Sequence, residues 1–323
     1  FKQKTAYEIM PSLVGSEMCI RDRYSMRRSR VAKRARHVMI YPEHTIQFLH
    51  ARRNVVEYND LFKILELTGD GNAFNITACG PGNIIRRNFF HDILASGHLT
   101  TMRCDGYQIE TLFAENVIYR CVYSGIGYQG RNHTEHNIIA DIFETNPFGM
   151  NWHATSYFWV MHGVDMNPKD ARVRGNIFYS SNPRASFYFD ERNTWADIRD
   201  LDVDYNLFYT AGDPSFSEKY LQDMQAQGID RRSISADPLF VDIENGDLRL
   251  RPESPAYKLG FREIDLDNVG LEPYYRDKLL GTKLMRTRIS PRSRRLDPGK
   301  PTVVTIRVDT ENAEIRYTLD NTE

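Results

Sequence analysis

A short unit recurs along the chain, and its spacing restricts the fold more than any other sequence feature. The unit is an apolar residue, two variable residues, an asparagine and an apolar pair, as in VRGNIFY at 173–179 and VDYNLFY at 203–209. Its asparagines are spaced 21 to 39 residues apart and are Asn59, Asn88, Asn116, Asn137, Asn176 and Asn206. Such a repeat with short β-type segments predicts a parallel β-solenoid, because each unit buries its apolar face only by stacking on the next.

The recurring asparagine is expected at one corner of every coil. Asparagine tolerates turn conformations, and stacked side-chain amides hydrogen-bond along a column as a ladder. Neighbouring coils are about 4.8 Å apart, so changes in repeat length are absorbed by loops while the stacked strands keep their register. The predicted fold class is therefore all-β.

A second family of strands is predicted between the asparagines. We align HTIQF (44–48), AFNIT (73–77), TMRCD (101–105), GIGYQ (125–129), MNWHA (150–154) and FYFD (187–190). Alternation places Cys104 inward as an apolar filler, and likewise Phe187 and Phe189. The outward residues form one column of Gln47, Asn75, Arg103, Gly127, Asn151 and Tyr188, and a second column of Thr77, Asp105, Gln129, His153 and Asp190.

Both ends of the chain are predicted to lie outside this repeat. Residues 1–23 resemble a translated sequencing adapter and are excluded from the fold. Residues 24–264 are the predicted β-helix domain, with one short helix in 213–235 and a hairpin around Asn245-Gly246. Residues 265–285 are the predicted linker. In 286–323 the segments VVTIRV and EIRYTL alternate apolar and polar residues, which indicates the start of a β-sandwich.

Composition argues against several classes of protein. Residues 24–323 carry 38 basic and 40 acidic side chains, a balance unlike that of a nucleic-acid binder. No apolar stretch reaches the length of a membrane span. Cys79, Cys104 and Cys121 lack CxxC spacing, so neither a disulfide framework nor a zinc site is predicted. No metal or other cofactor is expected, and calcium is an alternative that no motif supports.

Several segments carry a family resemblance. NVVEYNDLF, GDGNAFNI, GNIIRRNFFHDI and SADPLFVDIENGDLRLRPESPAYKLGF resemble right-handed parallel β-helix proteins of the pectate-lyase-like superfamily, over roughly 40–275. The tail, with SPRS and AEIRYTLDNTE, is similar to the start of the chitobiase/β-hexosaminidase C-terminal sandwich. The resemblance implies a secreted, extracellular or periplasmic protein that acts on a polysaccharide as a glycoside hydrolase or a lyase. We expect a monomer.

Three carboxylates are candidates for catalysis. Relatives carry a GIYLDD-like strand where this chain has TTMRCDG, so the resemblance implies a role for Asp105, together with Asp70 in the GDGN turn. Glycoside hydrolysis uses two carboxylates about 5–9.5 Å apart, and Glu110 follows Asp105 by five residues. Either Asp70 or Glu110 could be the partner of Asp105.

The outward columns supply the predicted substrate-binding residues: Arg103, Asn75, Gln129, Asn151, His153, Tyr188 and Asp190. Asp190 is three coils from Asp105, roughly 14 Å, which is too far for a direct pair. Two alternatives to hydrolysis stay open. A lyase needs a base and a cation that neutralises a uronate carboxylate, roles that Arg103 and His153 could fill. A glycan-binding protein without catalysis would use the same columns for binding alone.

Overall fold

The computed structural model describes parallel strands that wind into a β-solenoid, as the asparagine repeat predicts. The residues described are 51–65, 70–77, 79–94, 98–105, 108–143, 156–161, 168–190, 197–272, 288–290 and 305–307. The strands of the solenoid are, in chain order, β1 (Val55–Glu57), β2 (Asp60–Phe62), β3 (Asp70–Thr77), β4 (Ile84–Arg86), β5 (Phe89–Ile93), β6 (His98–Asp105), β7 (Leu112–Ala114), β8 (Val117–Val122), β9 (Ser124–Tyr128), β10 (His133–Glu135), β11 (Ile138–Phe143), β12 (Ser156–Val160), β13 (Arg172–Arg174), β14 (Ile177–Ser180), β15 (Tyr188–Asp190), β16 (Asp202–Asp204), β17 (Leu207–Thr210) and β18 (Ile234–Ser235).

These strands form three sheets whose order follows the winding of the chain. Sheet A is β1-β4-β7-β10-β13-β16, sheet B is β18-β17-β14-β11-β8-β5-β2, and sheet C is β15-β12-β9-β6-β3. Neighbours within each sheet are parallel and come from successive coils. The all-β fold class and the parallel stacking are therefore confirmed.

The six asparagines stack in one column between sheets A and B. The side-chain amide of each asparagine donates to Oδ1 of the next, at 2.7 Å from Asn59 to Asn88 and 3.0–3.1 Å over the following four steps. The backbone N–H of each residue donates to the same oxygen. The four internal asparagines, and the last one, are fully buried. The predicted ladder is confirmed.

The sharp turn at this corner is made by the residue before each asparagine. That residue has a left-handed backbone with φ between 54° and 65° in all six coils, and the six are Tyr58, Arg87, Glu115, His136, Gly175 and Tyr205. Left-handed φ is uncommon outside glycine, so the ladder holds a conformation that the side chains do not favour. The asparagine itself is not among the positive-φ residues, so its role here is hydrogen bonding.

The ladder ends at a loop that follows a short helix. Helix α1 (Pro214–Ala226) lies within the segment where one helix was predicted. Beyond it, Asp230 Oδ1 accepts the amide of Asn206 at 3.0 Å, and Ser233 Oγ accepts the Asn206 backbone N–H at 2.8 Å. An aspartate and a serine can end the column because the last position only has to accept hydrogen bonds from Asn206 and has no further coil to donate to in the described part of the chain.

The outer face of sheet B is covered by the chain itself. Its main outer column is apolar and comprises Phe89, Val117, Ile138, Ile177 and Leu207. Residues 240–264 pack on this column through Phe240, Leu248, Leu250, Phe261 and Ile264. Farther along, the Gly270 N–H donates to the Tyr58 carbonyl in the first coil at 2.9 Å. The covering segment therefore runs the length of the sheet.

The covering segment contains the predicted hairpin. Strands β19 (Phe240–Asp242) and β20 (Asp247–Leu250) are antiparallel and are joined by a 3₁₀ turn, Ile243–Asn245, with left-handed Gly246. Two further 3₁₀ turns are Ile198–Asp200 and Pro255–Leu259. Strands β21 (Arg288–Ser290) and β22 (Thr305–Arg307) form an antiparallel pair. The β-sandwich stays a prediction, because EIRYTL lies outside the described residues.

We expect Asn137→Ala to lower the free energy of unfolding by about 3–5 kcal/mol. The substitution removes the acceptor of two buried Asn116 donors, at 2.9 and 3.0 Å, and each unsatisfied buried donor costs about 1–3 kcal/mol. Urea unfolding measures the change. Asn182→Ala, at an exposed position, is the control and should stay within about 0.5 kcal/mol. Equal losses in both variants would contradict a ladder that stabilises the coils.

We expect Asp230→Asn to remove a pH dependence of stability. Burial raises the pKa of Asp230 to about 6 from 3.8. The folded protein therefore binds the proton more tightly than the unfolded chain does, and protonation of Asp230 stabilises the fold. This contribution is complete below about pH 4 and is lost as pH rises through about 6, a change of up to about 3 kcal/mol. Thermal unfolding from pH 4 to 7 should show this fall in the wild type and a flatter profile in the variant. A fall of the same size in both proteins would contradict the assignment.

Candidate functional site

A column of five residues crosses the outer face of sheet C. Strand register places in this column Asn75, Arg103, Gly127, Trp159 and Phe189. Neighbouring members are about 4.8 Å apart because each belongs to the next coil. Residues that are more than 100 positions apart in the sequence therefore share one surface. The predictions that Asn75 and Arg103 share this column are consistent with the register.

The column is polar at one end and aromatic at the other. Arg103 and Trp159 are two coils apart, and Gly127 between them leaves room for the Arg103 guanidinium to approach the Trp159 ring, at 6.0 Å from its centroid. The Phe189 ring is 6.1 Å from that of Trp159. Trp159 is only 3% exposed, so Arg103 and half-buried Phe189 offer more surface to a ligand than the indole does.

A second outward position runs beside this column. Thr77 is paired with Asp105, and the next coil continues with Gln129, whose N–H donates to the Cys104 carbonyl at 3.2 Å. Asn75 Nδ2 donates to Thr77 Oγ1 at 3.0 Å. Thr77 and Gln129 thus form a polar strip with the Asp105 backbone between them, and Asn75 of the outer column is hydrogen-bonded to this strip. Cys104 is fully buried, as predicted.

The alignment of MNWHA at 150–154 with this sheet is wrong. The strand that pairs with β9 is β12, Ser156–Val160, with Phe158 opposite Ile126 and Trp159 opposite Gly127. Asn151 and His153 lie outside the described residues, and their predicted binding roles stay predictions. This coil contains the longest spacing of the ladder, 39 residues between Asn137 and Asn176, which left the strand position ambiguous in the sequence.

The orientation predicted for FYFD at 187–190 is also wrong in part. Tyr188 pairs with Phe158 of the inner column, and its ring packs edge-on to Phe178 at 5.5 Å between centroids. Phe189 takes the outer position instead. Phe187 does lie inward, so two consecutive residues enter the core and the strict alternation fails there. Tyr188 is therefore not on the outer face.

Asp190 is also displaced from its predicted column. It pairs with Val160, whose column continues through Tyr128 to Cys104, while Asp105 is one position farther along its strand. The predicted grouping of Asp190 with Asp105, Gln129 and His153 is therefore wrong. Nothing in the register brings Asp190 and Asp105 to the same strip.

Asp70 and Asp105 lie at opposite ends of two paired strands. Asp70 begins β3 and pairs with His98, whereas Asp105 ends β6 and pairs with Thr77. Seven residues of extended strand separate the two positions, or about 23 Å. That separation exceeds any acid–base spacing in glycoside hydrolysis, so Asp70 is not the partner of Asp105.

Glu110 lies close to Asp105 along the coil. In the next coil, Gln129 lies beside Asp105 and Arg131 lies beside Glu110. The Arg131 carbonyl accepts the Glu110 N–H at 2.7 Å. Gln129 and Arg131 are two residues apart, which spans at most about 7 Å, and the left-handed Gly130 between them, φ 74°, shortens that distance. Glu110 also has a left-handed backbone, φ 54°, at the corner where the chain turns from sheet C toward sheet A.

The Glu110 carboxylate is held by two neighbours. Arg131 contacts Oε1 at 2.6 Å, and His133 Nε2 lies 3.2 Å from Oε2. His133 Nδ1 accepts the Arg172 backbone N–H at 3.1 Å, so Nε2 carries the proton that His133 donates to Glu110. Burial raises the pKa of Glu110, but the His133 hydrogen bond and the Arg131 charge outweigh it, and the pKa is lowered. Glu110 therefore stays ionised.

Sequence reasoning missed the groups that hold Glu110. Arg131 and His133 belong to the following coil, 21 and 23 residues away, and only the stacking brings them to the carboxylate. It also missed the outer positions of Trp159 and Phe189. The spacing of the ladder asparagines could have predicted that Arg131 stacks on Glu110. Arg131 and Glu110 each precede the ladder asparagine of their own coil, Asn137 and Asn116, by six residues.

A second ionisable cluster lies on sheet B and is structural. His91 is almost fully buried, and its two ring nitrogens lie 2.9 Å from Asp60 Oδ1 and 2.9 Å from Asp92 Oδ2. Arg120 Nε donates to Asp92 Oδ1 at 2.6 Å. Burial raises the pKa of Asp92, but His91 and Arg120 outweigh it and lower the pKa to about 2. Every group here has a partner, so we assign the cluster to stability.

Neither a metal site nor a membrane-spanning helix is found among the described residues. Among the described residues, no group of three or more histidine, cysteine or acidic side chains is placed to hold a metal ion, and no helix is long and apolar enough to span a membrane. No protein-family model matches the chain, and no curated protein or solved structure matches it either.

We expect Gly127→Val to disturb the Arg103–Trp159 contact. A Cβ at position 127 would lie 3.3 Å from Trp159 Cβ and 3.3 Å from Thr100 Cγ2, and overpacking of this kind costs about 1–3 kcal/mol. Thermal unfolding and tryptophan emission measure the change. Gly127→Ala should have a smaller effect of the same sign. A valine variant that unfolds and emits like the wild type would contradict the close packing at Gly127.

Proposed function

We propose that the protein is a carbohydrate-active β-helix enzyme, most simply a glycoside hydrolase that acts on a polysaccharide along the outer face of sheet C. The observation that carries the proposal is the closeness of Asp105 and Glu110. The next coil passes from the position beside Asp105 to the position beside Glu110 in two residues, which span at most about 7 Å, a separation from which two side chains can reach the 5–9.5 Å spacing of glycosidase carboxylates.

The lowered pKa of Glu110 supports different roles for the two carboxylates. Its lowered pKa keeps Glu110 ionised, as a general base or a nucleophile requires. Asp105 is then the group that donates a proton to the leaving oxygen. Asp105, at the end of β6, is thus the proposed acid, and Glu110, at the next corner, is the proposed base or nucleophile.

The polar strip and the outer column supply the substrate contacts. Asn75 and Gln129 carry amides that both donate and accept hydrogen bonds, which suits sugar hydroxyls. Arg103 adds a cation, and the half-buried ring of Phe189 adds an apolar surface. His153 and Asn151 lie outside the described residues and stay candidates for substrate binding. We also propose that the protein is secreted and monomeric, with a C-terminal module like that of chitobiase.

Arg103 favours one alternative, a polysaccharide lyase. It lies in the column next to the strip that contains Asp105, two residues away on the same strand. A lyase needs such a cation to neutralise a uronate carboxylate while a base removes the neighbouring proton. A lyase creates a C=C bond that absorbs ultraviolet light, whereas a hydrolase releases reducing ends without that absorbance.

The test is a polysaccharide panel read for reducing ends and ultraviolet absorbance together. For a hydrolase, Asp105→Asn and Glu110→Gln should each lower the release of reducing ends by about 10²–10⁴-fold, the usual contribution of an acid or base group. Asp70→Asn is the matched control and should keep full activity, since Asp70 lies at the far end of the strand pair.

Each other outcome points to a different function. Loss of activity in Asp70→Asn but not in Glu110→Gln would contradict the assigned pair. Product absorbance that survives Asp105→Asn would indicate the lyase. Binding without turnover on the whole panel would indicate a glycan-binding protein.

A further inference from the structure

A groove lies at the last coil, away from the proposed catalytic face. It is bounded by β16, the edge strand of sheet A, and by the loop 228–232 that follows helix α1. The Asp230 N–H donates to the Val203 carbonyl at 2.9 Å and fixes this loop against the strand. The groove is open and encloses about 260 Å³, close to the lower end of small-molecule sites.

The exposed surface of the groove is charged and lies over buried apolar side chains. Leu201, Val203 and Ile229 line the groove from below but are almost fully buried. Arginines dominate the charged rim: Arg199, Arg231 and Arg232 all line it, beside Asp202 and Asp204. A ligand in this groove would therefore contact mainly charged groups.

Most of these charges are already paired. Arg199 Nε donates to Asp197 Oδ1 at 2.8 Å, and Arg174 Nη2 contacts Asp202 Oδ1 at 2.5 Å. Asp204 Oδ1 accepts the Arg232 backbone N–H at 2.7 Å. The Arg232 guanidinium donates to Tyr205 Oη at 2.5 Å. Every acidic group of the rim therefore has a cation or N–H donor of its own.

Arg231 is the cation left over. It is exposed, and no ion pair or side-chain hydrogen bond joins it to another residue of the part of the chain that the structure describes. Its Nη2 atom lies 3.5 Å from the point where a side chain on Gly228 would begin, so the guanidinium lies over Gly228 at the groove. The rim thus carries one excess positive charge.

We propose that this groove is a second glycan-binding site, in which Arg231 binds an acidic group of a polysaccharide. Guanidinium groups bind planar and tetrahedral anions by paired, charge-assisted hydrogen bonds, so a uronate carboxylate and a sulfate ester both fit. The choice of a glycan rests on the proposed function, whereas the choice of an anion rests on the arginine rim.

The test uses the full chain and isothermal titration calorimetry at low salt. The probes are a galacturonate hexamer, a sulfated glucose hexamer and an unmodified glucose hexamer. We expect an acidic hexamer to bind more tightly than the neutral one, and Arg231→Gln to weaken that binding about tenfold. Preference for one acidic hexamer identifies the anion as a carboxylate or a sulfate. Arg184→Gln, at an exposed position outside the groove, is the control and should not change the affinity.

Arg103→Gln separates this site from the face of sheet C. The tenfold effect of Arg231→Gln should persist in that background, because Arg103 lies on sheet C whereas Arg231 lies in the loop beside β16 of sheet A. Binding that is equal for acidic and neutral hexamers, absent for both acidic hexamers, or unaffected by Arg231→Gln would overturn the proposal. Loss of hydrolysis in the polysaccharide panel would leave these results unchanged, so the two proposals can fail independently.

Discussion

The hydrogen bonds between stacked asparagines hold this structure in register. Each ladder oxygen accepts a backbone N–H and a side-chain amide from the preceding coil, so a shift of one coil by one residue would leave several buried polar groups without partners. Such groups are costly away from water. The ladder also holds six residues in the left-handed region, five of them not glycine. These residues form the turn between the strands of sheet A and those of sheet B.

Because the register is fixed, equivalent residues of successive coils stack into columns on the surface of each sheet. On sheet B the outer column is apolar and is covered by residues 240–264. On sheet A the outer columns carry ion pairs between coils, such as Glu57–Arg86 and Glu135–Arg172. On sheet C the column is mixed, with Asn75, Arg103 and Phe189. Sheet B is covered by the chain's own segment, and both proposed sites lie at the other two sheets.

The two proposed sites use this geometry in different ways. The Asp105–Glu110 pair depends on one coil turning a corner, with the following coil supplying Arg131 and His133 to keep Glu110 ionised. The groove beside β16 depends on the end of the solenoid, where no further coil covers the sheet edge within the described residues. There the loop that ends the ladder also presents Arg231. The loop 228–233 therefore carries both the acceptors that end the ladder, Asp230 and Ser233, and two arginines of the rim, Arg231 and Arg232.

The sequence by itself determined the repeating parts of this protein. The ladder positions, the strand pair around each ladder asparagine, the strands β3, β6 and β9 of sheet C, helix α1 and the β19–β20 hairpin could all be predicted, because periodicity, turn residues and alternation are local properties. Only the tertiary structure decided that β12 is Ser156–Val160, that Tyr188 points inward and that Asp70 is remote from Asp105. Those outcomes depend on which residues of one coil stack on another, and a loop of variable length hides that stacking from any local pattern.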